Sequence, residues 1–521
     1  MDNAEENRRA ADTAEKLLKN YFGHDSFRTG QRQIIDELRS GRDVLGIMPT
    51  GGGKSICYQL PALMAGGVTL VVSPLISLMK DQVTALVQSG IRGAFYNSSL
   101  NEAQCRKALA NMAAGMYKII YVAPERLETE RFLEVCRGLE ISYIAVDEAH
   151  CVSQWGQDFR PSYLKIPEFI NKLPRRPVIG AFTATATKAV RSDIVKLLGL
   201  KEPYVLTTGF DRPNLYFEVR HASTKAERFG ELTDIIFSHS NKSGIIYCAT
   251  RKAVDEVYER LSDMGLDVTR YHAGLVPEER KLNQEDFIFD RKPIVVATNA
   301  FGMGIDKSNV SFVVHYNMPK NIENYYQEAG RAGRDGSNAD CILLYSPSDI
   351  FTIKYFINSG ERSEELTDAE LELIRSREIG RMNRMIDYCK HDGCLRNYIL
   401  RYFGESPAEP CRNCSECLGY AKSRRAELPF MKKTAPALKP QAEIRAEVDA
   451  GLFEELRKMR IKLAKIQGVP PYVIFSDNTL RDICRKLPRN ETELLGVSGI
   501  GRNKAERYGG AILEALRKYK A

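Results

Sequence analysis

Short apolar runs alternate with helical patterns from about residue 40 to residue 185. Val44–Met48, Thr69–Val72, Ile119–Val122, Ile144–Val146 and Val178–Phe182 are continuous apolar runs of strand length. That is the pattern of strands buried on both faces of a parallel sheet. A second series begins at Gly244, with Ile245–Tyr247, Val268–Tyr271, Ile294–Ala297, Phe312–His315 and Ile342–Tyr345. The pattern predicts two α/β units of similar size, joined near Leu206–Phe217. Ligands of such sheets bind at the carboxyl ends of the strands. Residues 346–417 turn helical and end in a cysteine cluster. Residues 418–450 lack hydrophobic periodicity and read as a linker, and a small helical unit follows to residue 521.

Composition narrows this picture. A chain of 521 residues, 43% hydrophobic, suits three or four domains with real cores. It has no run of 18 or more apolar residues, so no membrane span is expected. Met1 to Glu15 is polar with both charge signs and lacks the apolar stretch of a signal peptide, which predicts a cytosolic chain. Twelve cysteines then argue for thiols or a metal rather than a disulfide framework. The net charge of +8 is unevenly placed: residues 418–521 hold 22 Lys+Arg against 12 Asp+Glu. A separate basic module favours a nucleic-acid contact.

The candidate chemistry lies at the predicted strand ends. Met48-Pro49-Thr50-Gly51-Gly52-Gly53-Lys54-Ser55 follows a buried strand and departs from the phosphate-loop pattern only at its first position, where Met48 replaces glycine. The glycines let backbone N–H groups close round phosphate oxygens. Lys54 is expected at the β- and γ-phosphates and Ser55 on magnesium. Asp147-Glu148-Ala149-His150 ends a second strand. Asp147 would hold magnesium, and Glu148 would orient and deprotonate the attacking water. His150 is either a satisfied structural histidine or, the reading favoured here, a link between the γ-phosphate and the other α/β unit. Gln327-Glu-Ala-Gly-Arg-Ala-Gly-Arg334 lies 272 residues beyond Ser55, the end of the phosphate loop, and places Arg331 and Arg334 three apart, where a helical turn would face both one way.

Together with Thr183-Ala-Thr-Ala-Thr187, these motifs resemble those of superfamily 2 helicases, and more closely the RecQ family. The closer likeness is carried by Phe22-Gly-x-x-x-Phe27-Arg28-x-x-Gln31, Val72-Ser-Pro-Leu-Ile-Ser-Leu-Met-Lys-Asp-Gln82, Phe210-Asp-Arg-Pro-Asn214 and Ala300-Phe-Gly-Met-Gly-Ile-Asp306. It covers about residues 16–417 and 451–521. The resemblance implies two tandem RecA-like lobes (1–206 and 207–345), a helical zinc-binding subdomain (346–417), the linker 418–450 and a small all-α HRDC domain (451–521). It implies ATP as nucleotide, with Arg28 and Gln31 reading adenine and Arg331 and Arg334 as arginine fingers beside Gln327. It also implies 3′ to 5′ movement on single-stranded and forked duplex DNA in repair and recombination, beside single-strand-binding or recombination proteins, in a bacterial cytoplasm at the nucleoid.

Trp155, Phe159, Arg160 and Tyr163 follow the carboxylates closely, interleaved with Gln, Asp, Gly and Pro. Aromatics beside arginine form a stacking platform for unpaired bases, and the family has an aromatic-rich coupling loop here. Ser73, Thr183, Thr185 and Thr298 suit either backbone phosphate contacts or local caps. Cys394, Cys411, Cys414 and Cys417 suit a closed tetrahedral Zn2+ site of four thiolates. Cys389 rivals Cys394 as the remote ligand, and the family's spacing favours Cys394. Family members in bacteria usually carry a winged-helix domain of roughly a hundred residues after the zinc module, for which 418–450 is too short. In the terminal unit the turn Leu495-Gly-Val-Ser-Gly-Ile-Gly501 is expected to turn N–H groups toward a phosphate. Tyr472, with Arg485, Lys486, Arg502 and Lys504, is the expected single-strand contact, against a basic protein-interaction module. The rivals to a helicase are a translocase or annealing factor with weak unwinding, a DNA-binding scaffold and an RNA remodeller.

Overall fold

Valine and isoleucine dominate the apolar runs, and such side chains, stiff at χ1, pack well on a pleated sheet covered on both faces. In the computed structural model, which describes residues 13–154, 158–240, 242–301, 307–359, 368–407, 409–419 and 449–520, they form two wholly parallel sheets. Trp155, residues 302–306 of the Ala300–Asp306 motif, residues 1–12 and the linker stretch 420–448 lie outside the described residues.

The first lobe contains β1 (Val44–Ile47), β2 (Val68–Val72), β3 (Gly93–Tyr96), β4 (Ile119–Val122), β5 (Ile141–Val146), β6 (Val178–Thr183) and β7 (Tyr204–Thr207). Their spatial order is β3-β4-β2-β5-β6-β1-β7. The second lobe contains β8 (Leu215–His221), β9 (Ser243–Tyr247), β10 (Val268–Tyr271), β11 (Ile294–Ala297), β12 (Val310–His315) and β13 (Ala339–Tyr345), ordered β10-β11-β9-β12-β13-β8. Every run read as a strand is one. The sequence reading omitted β3, β7 and β8. These strands are only partly buried along much of their length, so their apolar signal is interrupted. β7 pairs with β1 and β8 with β13, so the chain passes from one sheet to the other between Thr207 and Leu215.

Helices Ser348–Ser359, Asp368–Cys389 and Leu395–Tyr402 carry the chain to the cysteine cluster. The terminal unit is built of helices Ala450–Gln467, Pro471–Ile474, Asp477–Lys486, Glu491–Leu494 and Arg502–Lys520 round its own core, with Leu456, Ile474, Leu480, Ile483, Val497 and Ile512 buried. Among the described residues no helix is long and apolar enough to cross a membrane.

Candidate active site

The phosphate loop leaves β1 and enters the helix Lys54–Met64. Gly51 and Gly53 have φ of 81° and 79°, the left-handed region that glycine enters without steric cost. Met48, standing where the pattern asks for glycine, buries its side chain against Cys57 in the lobe's core. Only its backbone can therefore serve a phosphate cradle. Arg28 and Gln31 brace the loop: Arg28 Nη1 donates to the Gly51 carbonyl, and Gln31 Nε2 donates to the Gly53 carbonyl at 3.0 Å.

At the end of β5, Glu148 adopts φ 48°, a left-handed conformation that few non-glycine residues hold. Burial and the neighbouring Glu148 push the Asp147 carboxyl up to about 7. Burial also works against an ionised Glu148, but Lys54, Arg331 and Arg334 outweigh it and hold that carboxyl below its usual range. Glu148 is thus the ionised member of the pair, as a proton acceptor must be. Burial lowers the His150 pKa, leaving a neutral ring. Its Nδ1 lies 2.8 Å from Thr183 Oγ1, and the Thr183 hydroxyl donates to the Thr185 carbonyl, so Nδ1 carries the proton. In this structure the histidine bonds to the end of β6 in its own lobe, and it lines the cavity that the second lobe closes. The same bonds make Thr183 a buried local partner, not a surface for DNA.

The second lobe supplies the opposite wall. The helix Ile322–Ala329 ends before Arg331, so the two arginines sit on the turns that follow rather than on one helical face. They converge all the same. A cavity of about 260 Å³ is lined by Thr50, Gly51, Gly53, Lys54, Ser55, Asp147, Glu148 and His150 from one lobe and by Gln327, Arg331 and Arg334 from the other. Two buried polar atoms here, Glu148 Oε2 and Arg331 Nε, make no hydrogen bond within the protein. Such atoms are costly unless a ligand or water satisfies them, which fits a polyanion and its metal ion.

The sulfurs of Cys394, Cys411, Cys414 and Cys417 all lie within 4.8 Å of one another, with Cys411 and Cys417 at 3.9 Å. A tetrahedral zinc with bonds of about 2.3 Å needs sulfur separations of about 3.8 Å. The Cys394 sulfur accepts from the amides of Asn397 and Cys411, and the Cys411 sulfur from that of Asn413. The hydrogen bond with Cys414 and burial push the Cys411 thiol up to about 12. Cys389 is buried elsewhere and is not in the cluster.

Comparison with known proteins agrees with this assembly. Family descriptions match in order: DEAD/DEAH box helicase over residues 28–192, helicase conserved C-terminal domain over 227–336, RecQ zinc-binding over 347–418 and HRDC domain over 449–516. The ATP-dependent DNA helicase RecQ of Bacillus subtilis is 38% identical over 97% of this chain and 98% of its own. The chain belongs to the RecQ family of ATP-dependent DNA helicases. The Pasteurella multocida RecQ is 33% identical over 98% of this chain and 94% of its own. Among solved structures, the helicase Mss116p bound to ssRNA and AMP-PNP superposes with a TM-score of 0.54 at 18% identity, covering 73% of this chain and 86% of that one. The DUF1998 helicase MrfA bound to DNA gives 0.51 at 18%, covering 76% and 55%. At that identity the likeness shows the fold alone. The Bacillus alignment runs over 594 positions, of which this 521-residue chain fills 97% of its own length, so about ninety positions are gaps in this RecQ chain.

The expected DNA-contact residues fare unevenly in this RecQ structure. Tyr163 is fully buried and its hydroxyl donates to the Asp147 carbonyl at 2.9 Å, so it supports the active site from below and offers no stacking face. Arg160 is held by Asp158 and by the Pro74 carbonyl, at 3.0 Å and 2.9 Å, while Phe159 is half-buried. The HRDC turn does not face a phosphate: the Gly499 amide donates to the Gly23 carbonyl at 2.8 Å. Lys504, half-buried, donates to the Val473 carbonyl at 3.0 Å, and Lys486 is tied to Asp482. The helix Pro471–Ile474, which carries Tyr472, packs against the helix Ile76–Gln88. The turn at Gly499 and the helix bearing Tyr472 thus dock on the RecQ core, while Arg485, Lys486 and Arg502 stay exposed.

Sequence reasoning gave no role to several residues that build the site. Pro74, Leu75 and Leu78 wall the cavity, as do Asp158 and Ser308. Arg212 and Arg396 also went unassigned, although Arg212 lies inside a quoted motif. Nothing in local composition marks a residue whose partners are backbone carbonyls far along the chain.

Proposed function

We propose that this protein moves 3′ to 5′ along single-stranded DNA on ATP hydrolysis and unwinds duplexes in repair and recombination. The observation that carries the reading is the cavity walled by both lobes, where Lys54 and Glu148 face Arg331 and Arg334. A nucleotide bound there ties the lobes together, and hydrolysis releases them. Lys54 and the loop amides would hold the β- and γ-phosphates, while Glu148 takes the proton of the attacking water. Arg331 and Arg334, with Gln327 beside them, would stabilise charge on the transferring phosphoryl group. Ser55 and Asp147 would hold Mg2+, which supplies charge neutralisation between the phosphates. Arg28 and Gln31, already against the loop, support adenine recognition beside it. The four cysteines would hold Zn2+ as a structural ion.

DNA forks and recombination or single-strand-binding proteins are the partners this reading implies, in a bacterial cytoplasm. A second reading, a DNA-stimulated translocase or annealing factor with weak unwinding, is favoured by the roughly ninety gap positions, close to the size of the winged helix of relatives. Duplexes with a 3′ or a 5′ tail, followed for strand separation and ATP hydrolysis in one tube, test both. Separation of the 3′-tailed duplex alone supports the first reading. Brisk hydrolysis without separation supports the second, and separation only from a 5′ tail overturns the polarity.

A further inference from the structure

The chain crosses between the lobes through Phe210-Asp-Arg-Pro-Asn214, and one side chain of that crossing reaches both halves of the site. Arg212 Nη1 donates to the Thr50 carbonyl of the phosphate loop at 2.6 Å and to the Gly330 carbonyl at 3.2 Å. Its Nη2 donates to the carbonyls of Ala332 and Gly333 at 3.0 Å and 2.9 Å. Gly330, Ala332 and Gly333 alternate with the arginines that line the cavity. A planar fork of five donors can meet four carbonyls from two lobes at once, which an ammonium cannot.

A second observation locates the joint. A Cβ built on Gly51 would lie 3.4 Å from Arg212 Nη1 and 3.7 Å from the Arg334 Cα, so the phosphate loop and the arginine turn touch where Arg212 sits. The backbone behind the arginine is itself gripped. Arg396, buried at the start of the helix Leu395–Tyr402, donates to the Asp211 carboxylate at 2.8 Å and to the carbonyls of Arg212 and Leu215. Asn413 Nδ2 donates to the carbonyls of Pro213 and Leu215 at 3.0 Å and 3.1 Å.

We infer that Arg212 is a positioning residue for ATP hydrolysis, a clasp that sets the Arg331–Arg334 turn against the phosphate loop from its anchorage on the cysteine module. It touches no reacting atom and moves no proton. It fixes where the two arginines arrive when the lobes close. The inference rests on the reading of those arginines as fingers.

The test uses the full chain with Arg212→Lys, Arg212→Ala and, as comparator, Arg334→Ala. Steady-state ATPase is measured with saturating single-stranded DNA, and affinities are measured for ADP and for ADP with aluminium fluoride. Misplacing a catalytic group by about an ångström costs on the order of 10²-fold in rate. Arg212→Ala should therefore lose about that much kcat with little change in KM. Both Arg212 variants should bind ADP normally and lose the added affinity conferred by aluminium fluoride. Arg212→Lys keeps the charge without the fork and should fall between alanine and wild type. Wild-type kcat in Arg212→Lys, with Arg334→Ala inactive, overturns the clasp alone. Wild-type kcat in Arg334→Ala overturns the finger reading and the clasp with it. Equal losses of ADP and ADP–fluoroaluminate affinity also overturn the clasp, because a merely structural residue would weaken both.

Discussion

Glu148 holds a backbone conformation that costs energy, and it does so between a lysine and two arginines that keep it ionised. Its replacement by glutamine keeps the shape and removes the proton acceptor. Glu148→Gln should therefore lower DNA-stimulated hydrolysis by about 10²- to 10⁴-fold while ATP binding persists, a pair of results read by turnover and by nucleotide titration. Lys54, Glu148 and Arg334 were legible in the sequence because phosphate chemistry demands those residue types at fixed local spacing. Tyr163 was not: an aromatic beside an arginine reads the same in sequence whether it faces solvent or core. Its buried hydroxyl bond to Asp147 predicts that Tyr163→Phe costs about 1 kcal/mol in denaturant unfolding and leaves single-strand affinity unchanged.

Elements were legible where burial is continuous. β1, β2, β4 and β9 are buried throughout and were read directly, whereas β3 and β7 are largely half-exposed and were missed. The turn Leu495–Gly501 was recognised as a glycine turn between helices, but its partner was misjudged, because a free amide looks alike before a phosphate and before a carbonyl. The cysteine module is more than an appendage: Arg396 and Asn413 hold the crossing between the lobes, and the Ser415 amide donates to the Phe217 carbonyl in β8 at 2.9 Å. Zinc bound by four thiolates contributes about 10–16 kcal/mol in apparent free energy, so the module should not survive loss of a ligand. Cys414→Ser should lower bound zinc well below one per chain and lower the melting temperature, measured by metal analysis and thermal denaturation. Full zinc retention would contradict the four-cysteine assignment.

The whole molecule is joined a second time by its C-terminal domain. On the first lobe, Gln88 Oε1 accepts from Arg507 at 2.9 Å and from the Tyr508 hydroxyl at 2.7 Å. On the second, Arg481 donates to Ser337 at 2.6 Å, three residues beyond Arg334. The domain thus bridges the lobes beside the nucleotide cleft, a placement no local sequence signal carries. Gln88→Ala should free it on the first lobe, seen as faster hydrogen exchange at Gly499 and a larger radius of gyration in solution scattering. The central claim is that one nucleotide site is completed across the lobes, and Arg334→Ala tests it most directly. With ATP and DNA saturating, the account predicts that this variant binds both and loses about 10³- to 10⁵-fold in hydrolysis, with no strand separation. Hydrolysis at the wild-type rate would contradict it.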